Sequence, residues 1–448
     1  MNRFLTNIFQ KHDVKPAKPP FLLQLQNQLN GAMVNLLEAW YPSSIDYEQG
    51  GFYTDLNYKF EPDGPQQKYI VHQSRHLWTL SKAGLQFPDN TLYRNGAEHG
   101  FRFIAEQFWN HEYGGFYTEV NRNGSIATSG QPVIAYGQSY AIYSIIAYHS
   151  LTRNPDALEL AINTFHWLEE FMYDPVNKGY FSFTDQDRNI IGRPDYTGCL
   201  NGPCMKGINS ILHLLEAYIE LYKAWPDALL YARLSELLEI LKERMIQPKG
   251  YLHNYFDRDW TPVSIDKPSK PNVRRYHYLD HVSYGHDAEA AFLMQDAASV
   301  LNLTNQQDTI AVTKKLVDHS IHYGTDRRKG GLFGKGYYFN QNRKPVQVDK
   351  AKYWWVQAEM LYALLLMWSL YPDDEQNYFA LFQQQWSYIK NYCLDHQNGG
   401  WFESGSDRSP RQKMQPKSHE WKATYHTYRA LENCILLLDR MPADNNPE

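Results

Sequence analysis

Gly50-Gly-Phe-Tyr-Thr54 and Gly114-Gly-Phe-Tyr-Thr118 are the same five residues at two places in the chain. Four related turns follow: Gly179-Tyr-Phe181, Gly250-Tyr-Leu252, Gly330-Gly-Leu-Phe333 and Gly399-Gly-Trp-Phe402. The spacing stays within roughly 60 to 80 residues, so the chain reads as six units. Each glycine turn leads into a short polar-aromatic stretch with the signature of a β-turn or strand. Between the turns run long segments with apolar residues three and four apart, such as Asn209–Tyr222 and Ala358–Trp368, which predict helices. Each unit has room for two helices, one apolar and inward, the other amphipathic as in Tyr231–Lys242. Six such pairs predict an all-α fold, an (α/α)6 barrel with short β-turn and strand segments at one end. Closing the ring buries every repeat against a neighbour and leaves no exposed end. Residues 21–441 are expected to form this single domain. Residues 1–20 and 442–448 are expected to be a flexible N-terminal segment and a C-terminal tail.

One segment departs from the rhythm. Thr261–Gly285 carries three prolines and the pair Arg274-Arg275. It is expected to be a long loop entering the helix that starts near Tyr284. Long ordered loops often serve function, and Tyr276, His277 and Tyr278 indicate that part of it packs.

Composition narrows the function. A net charge of −5 over 448 residues leaves no electrostatic footprint for nucleic acid. No apolar run approaches the ~18 residues of a membrane helix, and the first residues lack the apolar core of a secretory signal. The four cysteines, Cys199, Cys204, Cys393 and Cys434, fit neither a zinc pattern nor a disulfide framework. A cytoplasmic protein that binds neither nucleic acid nor membrane is expected; the sequence assigns no oligomeric state. The 34 Tyr, 21 Phe and 12 Trp suit either a large core or a cleft that stacks sugar rings.

Three of the seventeen histidines have informative settings. His286 lies in Ser283-Tyr-Gly-His-Asp-Ala-Glu289, with Glu289 on the same helical face. His213 has Asn209 four residues before it and Glu216 three after. His426 follows Trp421-Lys-Ala-Thr-Tyr. All three enter apolar helical runs and can converge on a barrel axis. Carboxylate-bridged two-metal bundles use Glu-x-x-His with further glutamates; His-x-x-Glu is the reverse order, and no metal site is assigned. A simpler reading has each glutamate fixing the tautomer of its histidine. Phosphate-binding glycine loops and the Gly-x-Ser-x-Gly elbow are absent.

Ser283-Tyr-Gly-His-Asp-Ala-Glu-Ala290 is similar to the Ser-Tyr-Gly-His-Asp-Ile-Glu-Ala motif of the N-acylglucosamine 2-epimerase superfamily. Asn209–Ala217, Trp354-Trp355-Val-Gln-Ala-Glu359, Trp421 with His426, Ser74-Arg75-His-Leu-Trp and Tyr136-Gly-Gln-Ser-Tyr also resemble that family. The resemblance covers nearly the whole chain and is nearest to the cellobiose and mannose 2-epimerase branches. It implies the (α/α)6 barrel and inversion of an aldose at C2 without a cofactor. By the same resemblance His286 and His426 are the proton-transfer residues. Glu289 orients His286 or holds a hydroxyl; Arg75, Tyr136, Asn209 and His213 bind O1 and O2. Trp354 or Trp355, with Trp421, stacks the sugar, and one of the adjacent pair is expected to be structural.

The expected reaction interconverts D-mannose and D-glucose through ring opening and an enediolate. Alternatives are epimerisation at the reducing end of cellobiose, aldose–ketose isomerisation of mannose, glycoside hydrolysis on the same barrel, and a non-catalytic protein-binding role. Hydrolysis requires two carboxylates bracketing the bond, whereas this site is histidine-centred. Ser264–His281 is expected to fold over the cleft, with Arg274, Arg275 and Tyr276 donating to sugar hydroxyls, and to limit the substrate to a monosaccharide.

Overall fold

The computed structural model describes residues 18–127, 131–193, 202–341 and 343–441. Residues 1–17 of the expected flexible N-terminal segment, the expected tail at 442–448 and Cys199 lie outside the described residues. Pro20 already opens the first helix, and Lys18 pairs with Asp439 at 2.9 Å.

The helices alternate between two rings. Six pack outside: α1 (Pro20–Trp40), α3 (Thr91–Phe103), α5 (Pro155–Phe171), α7 (Ala228–Ile240), α10 (Gln307–Gly324) and α12 (Tyr378–Tyr388). Six form the inner ring: α2 (Ile70–Gln86), α4 (Ala135–Thr152), α6 (Ile208–Ala224), α9 (Tyr284–Val300), α11 (Trp354–Leu370) and α13 (Tyr425–Arg440). Each inner helix touches the next, and α13 returns to α2, so the ring closes. The inner helices are buried almost all round, as α11 illustrates with Trp354, Val356–Leu361 and Ala363–Leu365. The outer helices bury one stripe, such as Leu22, Leu25, Leu29, Met33 and Leu36 of α1, the pattern of a helix with one face in water.

The six glycine turns are six equivalent hairpins. Their arms meet at Ile45/Phe52, Trp109/Phe116, Tyr173/Tyr180, Ile246/Leu252, Thr325/Leu332 and Leu394/Trp401. Gly50, Gly114, Gly179, Gly250, Gly330 and Gly399 all have positive φ, which glycine adopts without strain. Two-residue strands at Lys68–Tyr69, Val133–Ile134, Lys206–Gly207 and Val282–Ser283 run straight into α2, α4, α6 and α9 and pair antiparallel with hairpin segments. All the inner helices therefore start at the hairpin end of the barrel.

Two repeated devices fix that end. The fourth residue of an inner helix clamps the residue after the glycine turn: Gln73 accepts from the Phe52 amide and donates to its carbonyl, both at 2.8 Å. Gln138 does the same for Phe116, and Gln357 for Leu332. In α9 the position is Asp287, which accepts from the Leu252 amide at 2.9 Å. The second device is a fully buried lysine on the turn aspartate: Lys68 with Asp46, Lys206 with Asp174, Lys352 with Asp326, and Lys417 with Asp395, at 2.7 to 3.1 Å. Each ammonium also donates to a turn carbonyl, so its charge and its hydrogen-bond donors are satisfied together.

The expected loop between Trp260 and His286 contains a short helix, α8 (Lys270–Tyr276), which Ser269 caps and Pro271 initiates. Val263, Ile265, Val273, Tyr276 and Leu279 build a small core of their own with Cys204, Tyr255 and Tyr337. That packing corrects the expectation for Tyr276, whose ring is buried in the small core. Among the described residues no helix is long and apolar enough to cross a membrane.

Candidate active site

The helix starts impose a common register. Residues two and six of an inner helix are four apart, so they share a face about 6 Å apart along the axis. Position two holds Tyr136, Asn209, Trp355 and His426; position six holds Arg75, Tyr140, His213, Glu289 and Glu359. All of these but Tyr140 and Glu359 line a cavity of about 590 Å³ at the hairpin end. All ten site residues expected from the sequence line it: Arg75, Tyr136, Asn209, His213, His286, Glu289, Trp354, Trp355, Trp421 and His426.

Arg75 is held by its ring neighbours. Nη2 donates to the Tyr136 and Tyr140 hydroxyls at 2.9 and 3.1 Å and lies 3.2 Å from His426 Nε2, while Nη1 donates to the Trp421 carbonyl. An arginine always donates, so Nε2 of His426 is the acceptor and Nδ1 faces Glu359 Oε1, 2.5 Å away. Burial, with Arg75 and Arg429 nearby, holds the His426 pKa well below the usual imidazole value. Burial raises that of Glu359. The pair therefore retains a proton on Glu359 to a higher pH than an exposed glutamate does.

His286 is set differently. Its Nδ1 is buried without a hydrogen-bond partner among the described residues, and burial lowers its pKa to about 4. The expected Glu289 contact is not made: Glu289 Oε1 accepts from Arg429 Nη2 at 2.5 Å. The other pair does form, with His213 Nδ1 2.9 Å from Glu216 Oε2.

Trp355 joins the two proton-transfer candidates. Its ring lies 5.0 Å from His286 and 5.7 Å from His426. The glycine of the Tyr-Gly-His motif permits this approach, because a Cβ on Gly285 would sit 2.3 Å from the Trp355 ring. Trp354 turns toward His419 and Lys422. Trp421, 46% exposed, covers the mouth beside Tyr136.

Sequence reasoning missed Arg429. Three residues after His426, it lies in the same inner ring and donates to Glu216, Glu289 and Glu359, from three different helices. The groups His213–Glu216–Glu289 and Glu289–Glu359–His426 have ligand atoms close enough to hold a cation. The Arg429 guanidinium already stands among those carboxylates and supplies the compensating charge. Burial pushes Glu216 upward, but Arg429 and His213 outweigh it and bring its pKa to about 2. Its signal was positional: an arginine on the buried face of a helix requires carboxylate partners.

The insertion reaches the cavity through Tyr278 and His281. Arg274 and Arg275 are exposed and do not line the cavity, which corrects their expected role as sugar ligands.

Residues 51–430 match the model of the N-acylglucosamine 2-epimerase (GlcNAc 2-epimerase) family. A cellobiose 2-epimerase of Bacteroides fragilis is 28% identical over 93% of this chain and 98% of its own length. One from Ruminococcus albus is 29% identical over 86% and 91%. The solved structure of cellobiose 2-epimerase from Spirochaeta thermophila superposes with a TM-score of 0.79 at 26% identity, covering 94% of this chain and 98% of that one.

Proposed function

Because the chain belongs to the N-acylglucosamine 2-epimerase family, we propose that it is a carbohydrate 2-epimerase that inverts C2 of an aldose, interconverting D-mannose and D-glucose, with His286 and His426 as the proton-transfer pair. The carrying observation is that two imidazoles from different helices border one tryptophan ring in a single cavity.

The chemistry follows from the site's asymmetry. The pyranose opens when a base takes the O1 proton and an acid gives one to the ring oxygen. One imidazole then removes the C2 proton, and the electron pair moves onto O1 to give the enediolate. Arg75 and Tyr136 offer donors to that oxyanion; the Arg75 Nε has no partner among the described residues. Such stabilisation is usually the largest single contribution. Neutral His286 suits the abstracting role. His426 suits delivery to the opposite face: as Nε2 takes the O1 proton on ring opening, the Nδ1 proton shifts to Glu359, and it returns to Nδ1 when Nε2 releases its proton to C2. In the reverse reaction the two exchange roles, and no redox cofactor takes part in the balance.

A second reading, epimerisation of the reducing-end glucose of a β-1,4-disaccharide, is favoured by the cavity volume. About 590 Å³ falls among pockets that take ligands larger than one hexose. Incubation with D-mannose and with cellobiose, followed by chromatography, tests both readings. Glucose from mannose supports the first, and glucosyl-mannose from cellobiose supports the second. Fructose as the sole product from mannose would replace epimerisation by isomerisation, and cleaved cellobiose would indicate hydrolysis.

A further inference from the structure

The position-six residues Arg75, His213 and Glu289 form the floor of the cavity, and hairpin residues form its rim. Among the described lining residues, Arg75, Arg193 and Lys335 are basic. The lining carboxylates are Glu289 and Glu403. Glu289 is matched by Arg429 at 2.5 Å, and Glu403 by Lys422 at 3.6 Å; neither of these cations lines the cavity. Hence neither lining carboxylate is paired with Lys335.

Lys335 stands at that rim. Its backbone is fixed in a strand between Ser283, which leads into α9, and Asp349. Its ammonium makes no hydrogen bond or ion pair among the described residues. Asp349, its cross-strand neighbour, favours the ammonium by its charge, but its own hydrogen bonds come from the Tyr353 hydroxyl and the Ala351 amide, both at 2.9 Å. The four lysines of the turns show how this chain treats a structural buried lysine, with an aspartate within 3.1 Å; Lys335 has no such partner. Its burial disfavours the charge, and it lies close enough to His281 and His286 to lower the basicity of both.

We propose that the rim at Lys335 binds an anionic substituent, a carboxylate or a phosphate, carried by the aldose at the end remote from C1. The assignment rests on the epimerase reading, which puts C1 and C2 at the floor. A half-buried ammonium with three donors and no carboxylate partner is stabilised by an anion through charge-assisted hydrogen bonds. A neutral hydroxyl in that place would bring no counter-charge.

Specificity constants for 2-epimerisation of glucose, glucuronate and glucose 6-phosphate, with the wild type, Lys335→Gln and Lys335→Arg, test the proposal. Calorimetric binding of the same three sugars gives a second readout independent of turnover. Glucuronate marks a carboxylate site and glucose 6-phosphate a phosphate site. One of them should exceed glucose in kcat/KM and in affinity by about tenfold or more. Lys335→Gln should reduce that ratio at least tenfold, and Lys335→Arg should preserve most of it. No anionic preference in the wild type, or a preference that survives Lys335→Gln, overturns the assignment. Turnover of glucose without any anionic preference sinks this inference and leaves the epimerase reading standing. If none of the three sugars is epimerised, the epimerase reading fails; Lys335-dependent binding of an anion then still supports the rim site, and its absence overturns it.

Discussion

Oε1 of Glu359 lies 2.5 Å from Nδ1 of His426, and Arg429 holds the same oxygen at 2.8 Å. The carboxylate thus fixes one nitrogen of the imidazole, and the other accepts from Arg75 at the cavity floor. Burial that raises the Glu359 pKa also makes this residue a place to keep a proton. Glu359→Gln preserves the shape but cannot pass a proton through Nδ1. It should lower kcat by roughly 10²–10⁴-fold, the range of general acid–base groups, with a smaller change in KM. Wild-type kcat in the folded variant would remove Glu359 from proton transfer.

His286 and His426 act on opposite faces of C2 in the proposed reaction, so their single variants should be separable by isotope. His286→Ala and His426→Ala should each lose roughly 10²–10⁴-fold in epimerisation. Each should still exchange the C2 hydrogen of one epimer with D₂O, and the two variants should favour different epimers. The measurement is NMR of C2 in mannose and in glucose after incubation. The same epimer exchanging in both variants would contradict the two-face assignment.

The pH dependence follows from burial. A histidine with its pKa near 4 is neutral, and able to accept a proton, at all pH values above about 5. The acid limb of kcat/KM should therefore lie near pH 4, not at the unperturbed 6.5. An acid limb centred at 6 or above, in a pH series with folding monitored in parallel, would show that His286 is not the group observed.

Legibility in the sequence followed distance along the chain. Gly-Gly-Phe-Tyr-Thr is a local signal, and the six hairpins it announced are present. His286 and Glu289 share one helical turn, so their common face was readable, but their hydrogen bond was not: Arg429, 140 residues away, takes the Glu289 oxygen. The same holds for Glu359, whose partner His426 is 67 residues distant. Which tryptophan of the adjacent pair meets the histidines depends on the rotation of α11 in its ring. Helix α8 was missed for a local reason. The prolines of Lys267–Pro271 read as loop, although Ser269-Lys-Pro271 is a helix start, with a capping serine and a proline in the first turn.

Asp287 breaks a pattern that glutamine keeps elsewhere in the ring. Gln73, Gln138 and Gln357 each accept from one amide and donate to the carbonyl of the same residue. An ionised aspartate can only accept. Asp287 accepts from Leu252 at 2.9 Å, and burial raises its pKa well above the usual carboxylate value. A carboxyl with a raised folded pKa keeps its proton in the native state to a higher pH than in the unfolded chain. Its cost is thus absent below the unfolded value of about 4 and grows as pH rises toward the folded value. Asn at this position keeps an acceptor, adds a donor and cannot ionise. Asp287→Asn should therefore stabilise the fold by about 1 kcal/mol or more at pH 8, with a smaller gain at pH 4. Denaturant unfolding at the two pH values measures the difference. An equal effect at both, or a greater loss at pH 8, would mean that Asp287 is ionised in the native barrel and that its carboxylate is compensated by a charge in the α9–α10 layer.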